Sequence, residues 1–289
     1  MPKSYRPVDV NPDWLVGKYA LMSVQARVRA GRTEIEPHSW RIPYQWQGYH
    51  YQDHDDEPFM LMVNSSGGFV EGDVSRFYGH LEAESRALFT TTASSKYYKC
   101  LKGETTQELV DFYVGPDATL EYCPDEAIPF AQSRAERMTR VVMEESSRLF
   151  ATDMISAGRI HHGKGEAFHF DSLVSEFDIR IDKRPIFTDR LVADTADSVA
   201  ALPRLWQGYK HMATVVGYAP DLPEGIEAAL EGDEGTAEGV KMGVSRLGRL
   251  VVARILAEET WQAHEAIFRV WTCLRPAVAG KRARAIRKC

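Results

Sequence analysis

Strict alternation of apolar and polar residues near the start of the chain constrains its fold more than any other feature. Between residues 20 and 28 every second residue is apolar, from Ala20 to Val28. This is the pattern of a strand that buries one face. Gly31 follows, and residues 33–36 are predicted to return as the second strand of a hairpin. The chain must therefore build at least one sheet with a buried face.

Further strand-like runs follow at short intervals, separated by clusters of Gly, Asn, Asp and Pro. They lie at residues 59–63, 75–83, 86–92, 108–114, 119–122, 138–143, 149–155, 174–181 and 190–194. Many short strands at this spacing indicate packed sheets rather than alternating strands and helices. The predicted fold is mainly β, with stacked or sandwiched sheets of many short strands and a helical C-terminal portion.

The pattern changes after about residue 196. Residues 202–209 are predicted to form a short helix or loop, and residues 211–216 a strand. Apolar residues spaced four, three, four and four apart then predict an amphipathic helix: Val240, Val244, Leu247, Val251 and Ile255. A second helix is predicted from Trp261, His264, Phe268 and Trp271, and Pro276 is expected to end it. We expect one domain over residues 1–289, β-rich at 18–220 and helical at 236–275, with a basic tail at 276–289.

Charge is distributed unevenly along the sequence. The net charge is −6, but the residues after Glu265 include seven cations and no acid, so residues 1–265 carry −13. A second run, between Asp221 and Glu238, holds seven acids and no base. A phosphate-binding surface should be basic over a broad face, so this distribution argues against a nucleic-acid-binding protein. It suggests protein partners instead.

The N-terminus and the cysteines favour a cytoplasmic protein. No apolar run follows the first charged residues, so no signal peptide is predicted. No stretch approaches the roughly 18 apolar residues that span a bilayer. The four cysteines form no CxxC pair, which favours reduced thiols. Cys100, Cys123 and Cys273 are expected in the core, and Cys289 is a terminal thiol expected to be exposed.

Sequence motifs for catalysis are largely missing. The chain has no P-loop, no GxGxxG after a strand, no GxSxG elbow and no HExxH. Three polar clusters could nevertheless contact a metal ion: the loop at residues 50–57, the pair Asp125–Glu126, and His161–His162 with Glu166. Imidazoles with a carboxylate suit nickel or zinc. A β-rich hydrolase or metal-dependent enzyme that uses Asp125 and Glu126, or His161 and His162, is therefore one hypothesis, and ordinary solvated loops are the alternative.

Five segments resemble the urease accessory protein family UreD, also called UreH. The first two are Asn64-Ser-Ser-Gly-Gly-Phe-Val-Glu-Gly-Asp73 and Phe89-Thr-Thr-Thr-Ala-Ser-Ser-Lys96-Tyr-Tyr98. The third is Leu120-Glu-Tyr-Cys-Pro124 continuing to Phe130, and the fourth is Gly158-Arg159 with Gly165-Glu166. The last is Leu274-Arg275-Pro276 with the tail beyond it. Each segment is weakly specific, but their order along the chain matches that of the family.

The resemblance implies a maturation scaffold, not an enzyme. UreD proteins bind apo-urease and the accessory protein UreF, which holds the GTPase UreG, and the assembly delivers nickel to urease. A hetero-oligomer is therefore expected, with dimerisation through UreF as one arrangement, and no tightly bound cofactor. Nickel in transit is expected to meet Asp73 and Glu166, which match family motifs. Glu126, Asp153, His161 and His162 are lower-ranked candidates, named for their chemistry.

Two departures from the family pattern bear on these expectations. Glu71 stands where the family often has glycine, which adds a carboxylate to the glycine segment. The chain ends in Ala-Ile-Arg-Lys-Cys instead of the PRIW-type ending of the family. We therefore do not carry over any partner contact of that tryptophan.

Overall fold

Two large β-sheets form the body of the molecule. The computed structural model describes residues 8–15, 18–52, 56–231, 238–286 and 288. The first sheet contains β1 (Tyr19–Arg29), β2 (Arg32–Arg41), β5 (Val74–Leu81), β8 (Thr106–Val114), β11 (Arg134–Met143), β13 (Ser172–Ile181) and β14 (Arg184–Ala193). Its strand order is β14-β13-β11-β8-β5-β1-β2. Strands account for 47% of the residues and helices for 13%, which confirms the mainly β prediction.

The second sheet is formed mostly by the strands that lie between those of the first along the chain. Its main path runs β16-β17-β15-β12-β9-β6-β4-β3, with the short β7 and β10 beside it. The bounds are β3 (Tyr44–Gln45), β4 (Phe59–Asn64), β6 (Arg86–Thr91), β7 (Ser95–Tyr97), β9 (Thr119–Tyr122), β10 (Ala127–Pro129), β12 (Arg148–Ser156), β15 (His211–Tyr218), β16 (Val240–Leu247) and β17 (Leu250–Ala257).

The chain alternates between the two sheets over its central part. From β4 to β13, the strands β4, β6, β9 and β12 enter one sheet, and β5, β8, β11 and β13 enter the other. Parallel neighbours need a crossover connection, and here a strand of the opposite sheet supplies it. The central strands of both sheets are therefore parallel, and antiparallel pairs lie at the edges. Phe77, Phe89 and Phe112 pack between the sheets and are almost fully buried.

The prediction of a helix at residues 240–255 is wrong, because this segment is the β16–β17 hairpin. Gly248 turns the chain with a φ of 63°, a conformation that glycine adopts without strain. Val240, Met242 and Val244 also fit a period of two, and Leu250-Val-Val252 is rich in the β-branched residues that strands favour. The helical spacing was therefore one of two patterns that the same residues satisfy.

Helix structure is confined to three elements in the described part of the chain. They are α1 (Ala196–Leu205), α2 (Ile226–Glu231) and α3 (Thr260–Ala279). The predicted helix around residues 261–271 is confirmed, but Pro276 does not end it, since α3 continues to Ala279 and stops at Gly280 with a φ of 70°. The side chains of Arg148 and Arg86 donate to the carbonyls of Ala277 and Ala279. They satisfy groups that a helix end otherwise leaves without partners.

Helix α3 packs on the outer face of the second sheet. Val270, Trp271 and Leu274 are buried there together with Phe150 of β12. Gly217 of β15 allows the close approach, because a Cβ at this position would lie 2.9 Å from Leu274 Cδ1. A smaller core cluster around Trp206 fixes α1 near one end of the sheets.

The remaining expectations have mixed outcomes. The predicted strands at residues 59–63, 86–92, 119–122 and 211–216 are confirmed within about two residues, while β3, β7 and β10 were missed. The helical portion begins at Thr260 and not at 236. Cys100, Cys123 and Cys273 are free thiols, with Cys100 buried. Asp53, His54, Asp55, Asp233, Glu234, Arg287 and Cys289, which the predictions also involve, lie outside the described residues.

Candidate functional site

The glycine segment before β5 forms a tight loop that Asp73 closes. Asp73 Oδ2 accepts a hydrogen bond of 2.8 Å from the backbone N–H of Val70, and Lys18 Nζ lies 3.8 Å from Oδ1. Gly67 and Gly72 have φ values of 72° and 73°, as glycines in such turns should. Burial raises the pKa of the Asp73 carboxyl, and the Val70 N–H and Lys18 partly offset this effect. Asp73 is thus a buried carboxylate whose Oδ2 is held by the backbone N–H of Val70.

Glu71 organises the loop that follows β7. Its carboxylate accepts hydrogen bonds from the backbone N–H groups of Leu101, Lys102 and Glu104, at 2.6–2.8 Å. Desolvation alone would raise the pKa of Glu71, but the backbone donors together outweigh it and lower the pKa. The carboxylate that departs from the family pattern therefore stabilises a neighbouring loop.

Glu166 forms an ion pair within the loop between β12 and β13. The Nε and Nη2 atoms of Arg159 donate to its two carboxylate oxygens at 2.8 and 2.6 Å. These hydrogen bonds lower the pKa of Glu166. Gly158 has a φ of 133° and approaches the Glu166 carbonyl so closely that a Cβ would lie 2.5 Å from it. The predicted role of Glu166 on a nickel route stays a prediction, and the carboxylate would have to leave Arg159 to bind a cation.

His161 and His162 turn toward different carboxylates. His161 Nε2 lies 2.7 Å from Glu259 Oε2, and His162 Nε2 lies 3.9 Å from Glu166 Oε1. Both imidazoles are largely exposed. The loop that carries them links β12 of the second sheet to β13 of the first.

A charged cluster is buried between the two sheets. Arg137 of the first sheet donates to Asp153 of the second at 2.5 Å and to Ser175 at 3.0 Å. Glu108 lies 4.0 Å from Arg137 and accepts a hydrogen bond from the Tyr97 hydroxyl. Such a cluster replaces apolar packing at the centre of the molecule, which has a cost unless every charge is paired. Asp153, a lower-ranked candidate, is therefore held by an arginine.

Glu126 meets a histidine of helix α3. His264 Nε2 lies 3.0 Å from Glu126 Oε2, and the Ser94 hydroxyl donates to Oε1 at 2.8 Å. Burial would raise the pKa of Glu126, but the hydrogen bonds from His264 and Ser94 outweigh it and lower the pKa to about 2. Asp125 is next to this pair and contacts Lys288. Within the described residues, Asp125, Glu126 and His264 are the one group whose ligand atoms could hold a metal ion.

Other predicted residues remain apart from this group. Asp73 contacts Lys18, Asp153 contacts Arg137 and Glu166 contacts Arg159, so the structure does not gather the candidates into one site. The sequence-based analysis missed His264 as a site residue because its spacing from Trp261 and Phe268 fitted a buried helix face. No pattern in the sequence separated it, because the exposure of that face, 61% for Trp261 and 40% for Phe268, is a property of the folded chain.

The comparisons with known proteins agree with the sequence segments. A family model described as UreD urease accessory protein matches residues 18–288. The urease accessory protein UreD of Dechloromonas aromatica is 30% identical over 256 residues, which are 88% of this chain and 88% of that protein. The chain belongs to the UreD family. The UreD protein of Pseudomonas fluorescens is 31% identical over 224 residues, covering 78% of this chain and 77% of that protein.

UreD-like segments of this chain meet in the folded structure. Glu121, in the segment around Leu120, is fully buried and accepts hydrogen bonds from Arg275 Nε at 3.0 Å and Trp271 Nε1 at 2.5 Å. Arg275 belongs to the Leu274-Arg-Pro segment and also lies 3.4 Å from Glu57. Arg159 and Glu166 also pair, but this pair is local and both side chains are partly exposed. The residues that resemble UreD motifs are thus partly explained by buried ion pairs that hold distant parts of the chain together.

UreD membership also decides between the two classes of function. Urease accessory proteins are maturation factors and not enzymes, so the hydrolase hypothesis on Asp125 and Glu126, or on His161 and His162, is set aside. None of the helices in the described part of this UreD-family chain is long and apolar enough to span a membrane.

Proposed function

We propose that the chain is a scaffold of urease maturation that binds apo-urease and UreF in the cytoplasm, and through UreF the GTPase UreG. Family membership over residues 18–288 is the observation that carries the proposal. UreD relatives are named as urease accessory proteins, and the segments that carry the resemblance fold here into defined contacts. The assembly formed in this way would deliver nickel to the urease active site.

The exposed face of α3 is the surface that we propose for a protein partner. Trp261 and Phe268 are seven residues apart, about two helical turns, and therefore lie on one face. Both are exposed, at 61% and 40%, although large aromatic residues are typical of interface centres. The proposed partner at this face is UreF.

The test is copurification of UreF with surface variants of the full chain. Trp261→Ala combined with Phe268→Ala should reduce the UreF recovered by about tenfold or more, as expected for interface aromatics. Leu205→Ala is the matched control, because Leu205 is 61% exposed on α1. Unchanged recovery with the α3 variant would rule out this face. Removing residues 240–289 is a poorer test, since it deletes two strands of the second sheet together with α3.

For the nickel route we propose passage along buried carboxylates, with Asp73 as the leading residue. Asp73 has one buried oxygen without a hydrogen-bond partner, which supports a role in contacting a cation. Glu166, Glu126 and Asp153 are the further carboxylates of the proposed route, each already held by a partner. Such groups can pass an ion only if each binds it weakly.

Substitution of Asp73 and Glu166 tests this route separately from assembly. Asp73→Ala with Glu166→Ala should lower the nickel content and activity of urease while UreF and apo-urease still copurify with the chain. Asp171→Ala is a suitable control, since Asp171 forms a half-exposed pair with Arg134 at 3.7 Å. Normal nickel content in the double variant would show that the route lies elsewhere.

A further inference from the structure

A cavity of about 400 Å³ lies between α3, the segment before β10 and the C-terminal tail. Most of its wall is apolar, and its lining includes Phe150, Ile267, Phe268, Trp271 and Ile286. One part of the lining is polar and is formed by Asp125, His264 and Lys288. An ion or small ligand that enters the cavity would therefore reach a carboxylate and an imidazole.

The potential ligand atoms at this polar part are already close together. One ligand atom each from Asp125, Glu126 and His264 lies within 4.8 Å of the others. Ligands at 2.0–2.2 Å from one ion can be at most about 4.4 Å apart. Side-chain shifts of under about 1 Å would thus be sufficient to gather the three atoms around an ion.

The surroundings of Glu126 hold its carboxylate in place. The Ser94 hydroxyl donates to Oε1, and Oε2 is hydrogen-bonded to His264 Nε2 at 3.0 Å, a contact that a bound metal ion would replace. Hydrogen bonds of this kind orient the ligands of metal sites and tune their affinity. Glu126 is also buried, with 6% of its surface exposed, so its position does not depend on a flexible surface side chain.

Asp125, the third residue of the group, is already paired with a cation. The ammonium of Lys288 contacts Asp125 Oδ1, and Lys288 belongs to the irregular segment after α3. A metal ion and the ammonium would compete for the same carboxylate. Binding of the ion therefore should be linked to release of Lys288.

We propose that Asp125, Glu126 and His264 bind a divalent transition-metal ion and that this ion displaces Lys288 from Asp125. This inference rests on the proposed nickel route, to which Glu126 belongs. Two carboxylates and an imidazole suit ions such as Ni²⁺, Co²⁺ and Zn²⁺, whereas Mg²⁺ favours oxygen ligands alone. The site joins α3 to the segment before β10, and the displaced lysine belongs to the tail. Metal binding would therefore change the contacts of the C-terminal segment, next to the α3 face proposed for UreF.

Equilibrium dialysis of the purified full chain against Ni²⁺ tests the site. All proteins carry Cys289→Ser, which removes the terminal thiol as a competing ligand. His264→Gln should weaken binding by at least about tenfold, and Asp125→Asn should weaken it as well. His38→Gln is the matched control, because the His38 side chain is 40% exposed, like that of His264, and lies 3.3 Å from Asp9. Circular dichroism verifies folding, and the visible absorption of Co²⁺ reports whether the imidazole is a ligand.

Lys288→Ala tests the competition. Its removal should tighten Ni²⁺ binding by about two- to fivefold, the range expected for loss of one partly exposed ion pair. Wild-type affinity in both His264→Gln and Asp125→Asn would overturn the site, and unchanged affinity in Lys288→Ala would overturn the displacement. Because the assay uses the isolated chain, its failure is distinguishable from failure of the scaffold role, which is measured by urease activation.

Discussion

At the scale of single residues, buried ion pairs connect parts of the chain that are far apart in sequence. Arg275 reaches Glu121 across 154 positions and Glu57 across 218. The guanidinium also lies 4.5 Å from the centre of the Trp271 ring. Lys281 supplies a second cation to Glu57 at 2.9 Å. This network fixes the end of α3 and the start of the tail to the second sheet.

Loss of Arg275 should therefore destabilise the whole domain. We predict that Arg275→Ala lowers the free energy of unfolding by about 3–5 kcal/mol, because it leaves Glu121 charged and buried without its main partner. Denaturant unfolding followed by tryptophan fluorescence measures the change. Arg190→Ala is the control, since Arg190 is 59% exposed and 3.5 Å from Glu176, and a pair of that kind contributes about 1 kcal/mol or less. A loss for Arg275→Ala as small as that of the control would contradict the prediction.

His211 should make stability depend on pH. Burial lowers its pKa from 6.5 to about 4. As pH falls, His211 therefore takes up a proton at a higher pH in the unfolded chain than in the folded one. This favours unfolding, so the stability that the neutral His211 contributes above pH 6.5 is lost between about pH 6.5 and 4. Between pH 7 and pH 5 we predict a loss of roughly 2 kcal/mol from this group, at 1.36 kcal/mol for each pH unit below 6.5.

The measurement compares unfolding of the wild type and His211→Gln at both pH values. The variant will lose some stability at every pH, but the difference between the two pH values should be smaller than in the wild type by the amount given above. Equal differences in the two proteins would show that His211 does not titrate in this way.

At the scale of elements, the contact between α3 and β15 depends on a glycine. Because a Cβ on Gly217 would lie 2.9 Å from Leu274 Cδ1, Gly217→Ala should push the helix away from the sheet. We predict a loss of about 1–3 kcal/mol, the usual cost of overpacking. Leu274→Ala alone should cost about 2–5 kcal/mol, because it leaves a cavity.

The double variant makes this prediction specific. In the double variant, the methyl group introduced by Gly217→Ala fills part of the cavity left by Leu274→Ala. The loss of unfolding free energy in the double variant should therefore be smaller than the sum of the two single losses. Urea unfolding of the two single variants and the double variant gives the coupling. Strictly additive losses would mean that the two residues do not contact each other in solution.

The sequence predicts individual elements better than it predicts their arrangement. Alternation located β1, and Gly31 marked its hairpin, since local residues determine both. The same logic failed at residues 240–255, where a helical spacing and a strand spacing share Val240 and Val244, and contacts with β15 decide between them. Helix α3 continues past Pro276, and arginines from two distant strands satisfy its last carbonyls, contacts that no local pattern shows.

The candidate site shows the same division between local and distant information. The adjacent Asp125 and Glu126 could be identified from their chemistry alone. Their partner His264 is 138 positions from Glu126, and its spacing on α3 gave no sign of that contact. The contact of Asp73 with the Val70 N–H is local by comparison, because it lies within one turn.

At the scale of the whole molecule, strands alternate between two sheets and charged groups are buried in two places. Arg137 and Asp153 pair between the sheets, and Arg275 of α3 pairs with Glu121 of the second sheet. On this body, helix α3 presents Trp261 and Phe268 on its outer side. A body that carries an exposed aromatic face fits a protein that acts through partners. The family assigns that action to the maturation of urease.

Urease activity in cells tests this central claim most directly. The urease subunits and all other accessory proteins are expressed with and without this chain, at one nickel concentration and equal subunit levels. We predict that urease made without the chain has little activity and little nickel, and that the wild-type chain restores both. Full activity and nickel content in its absence would contradict the claim.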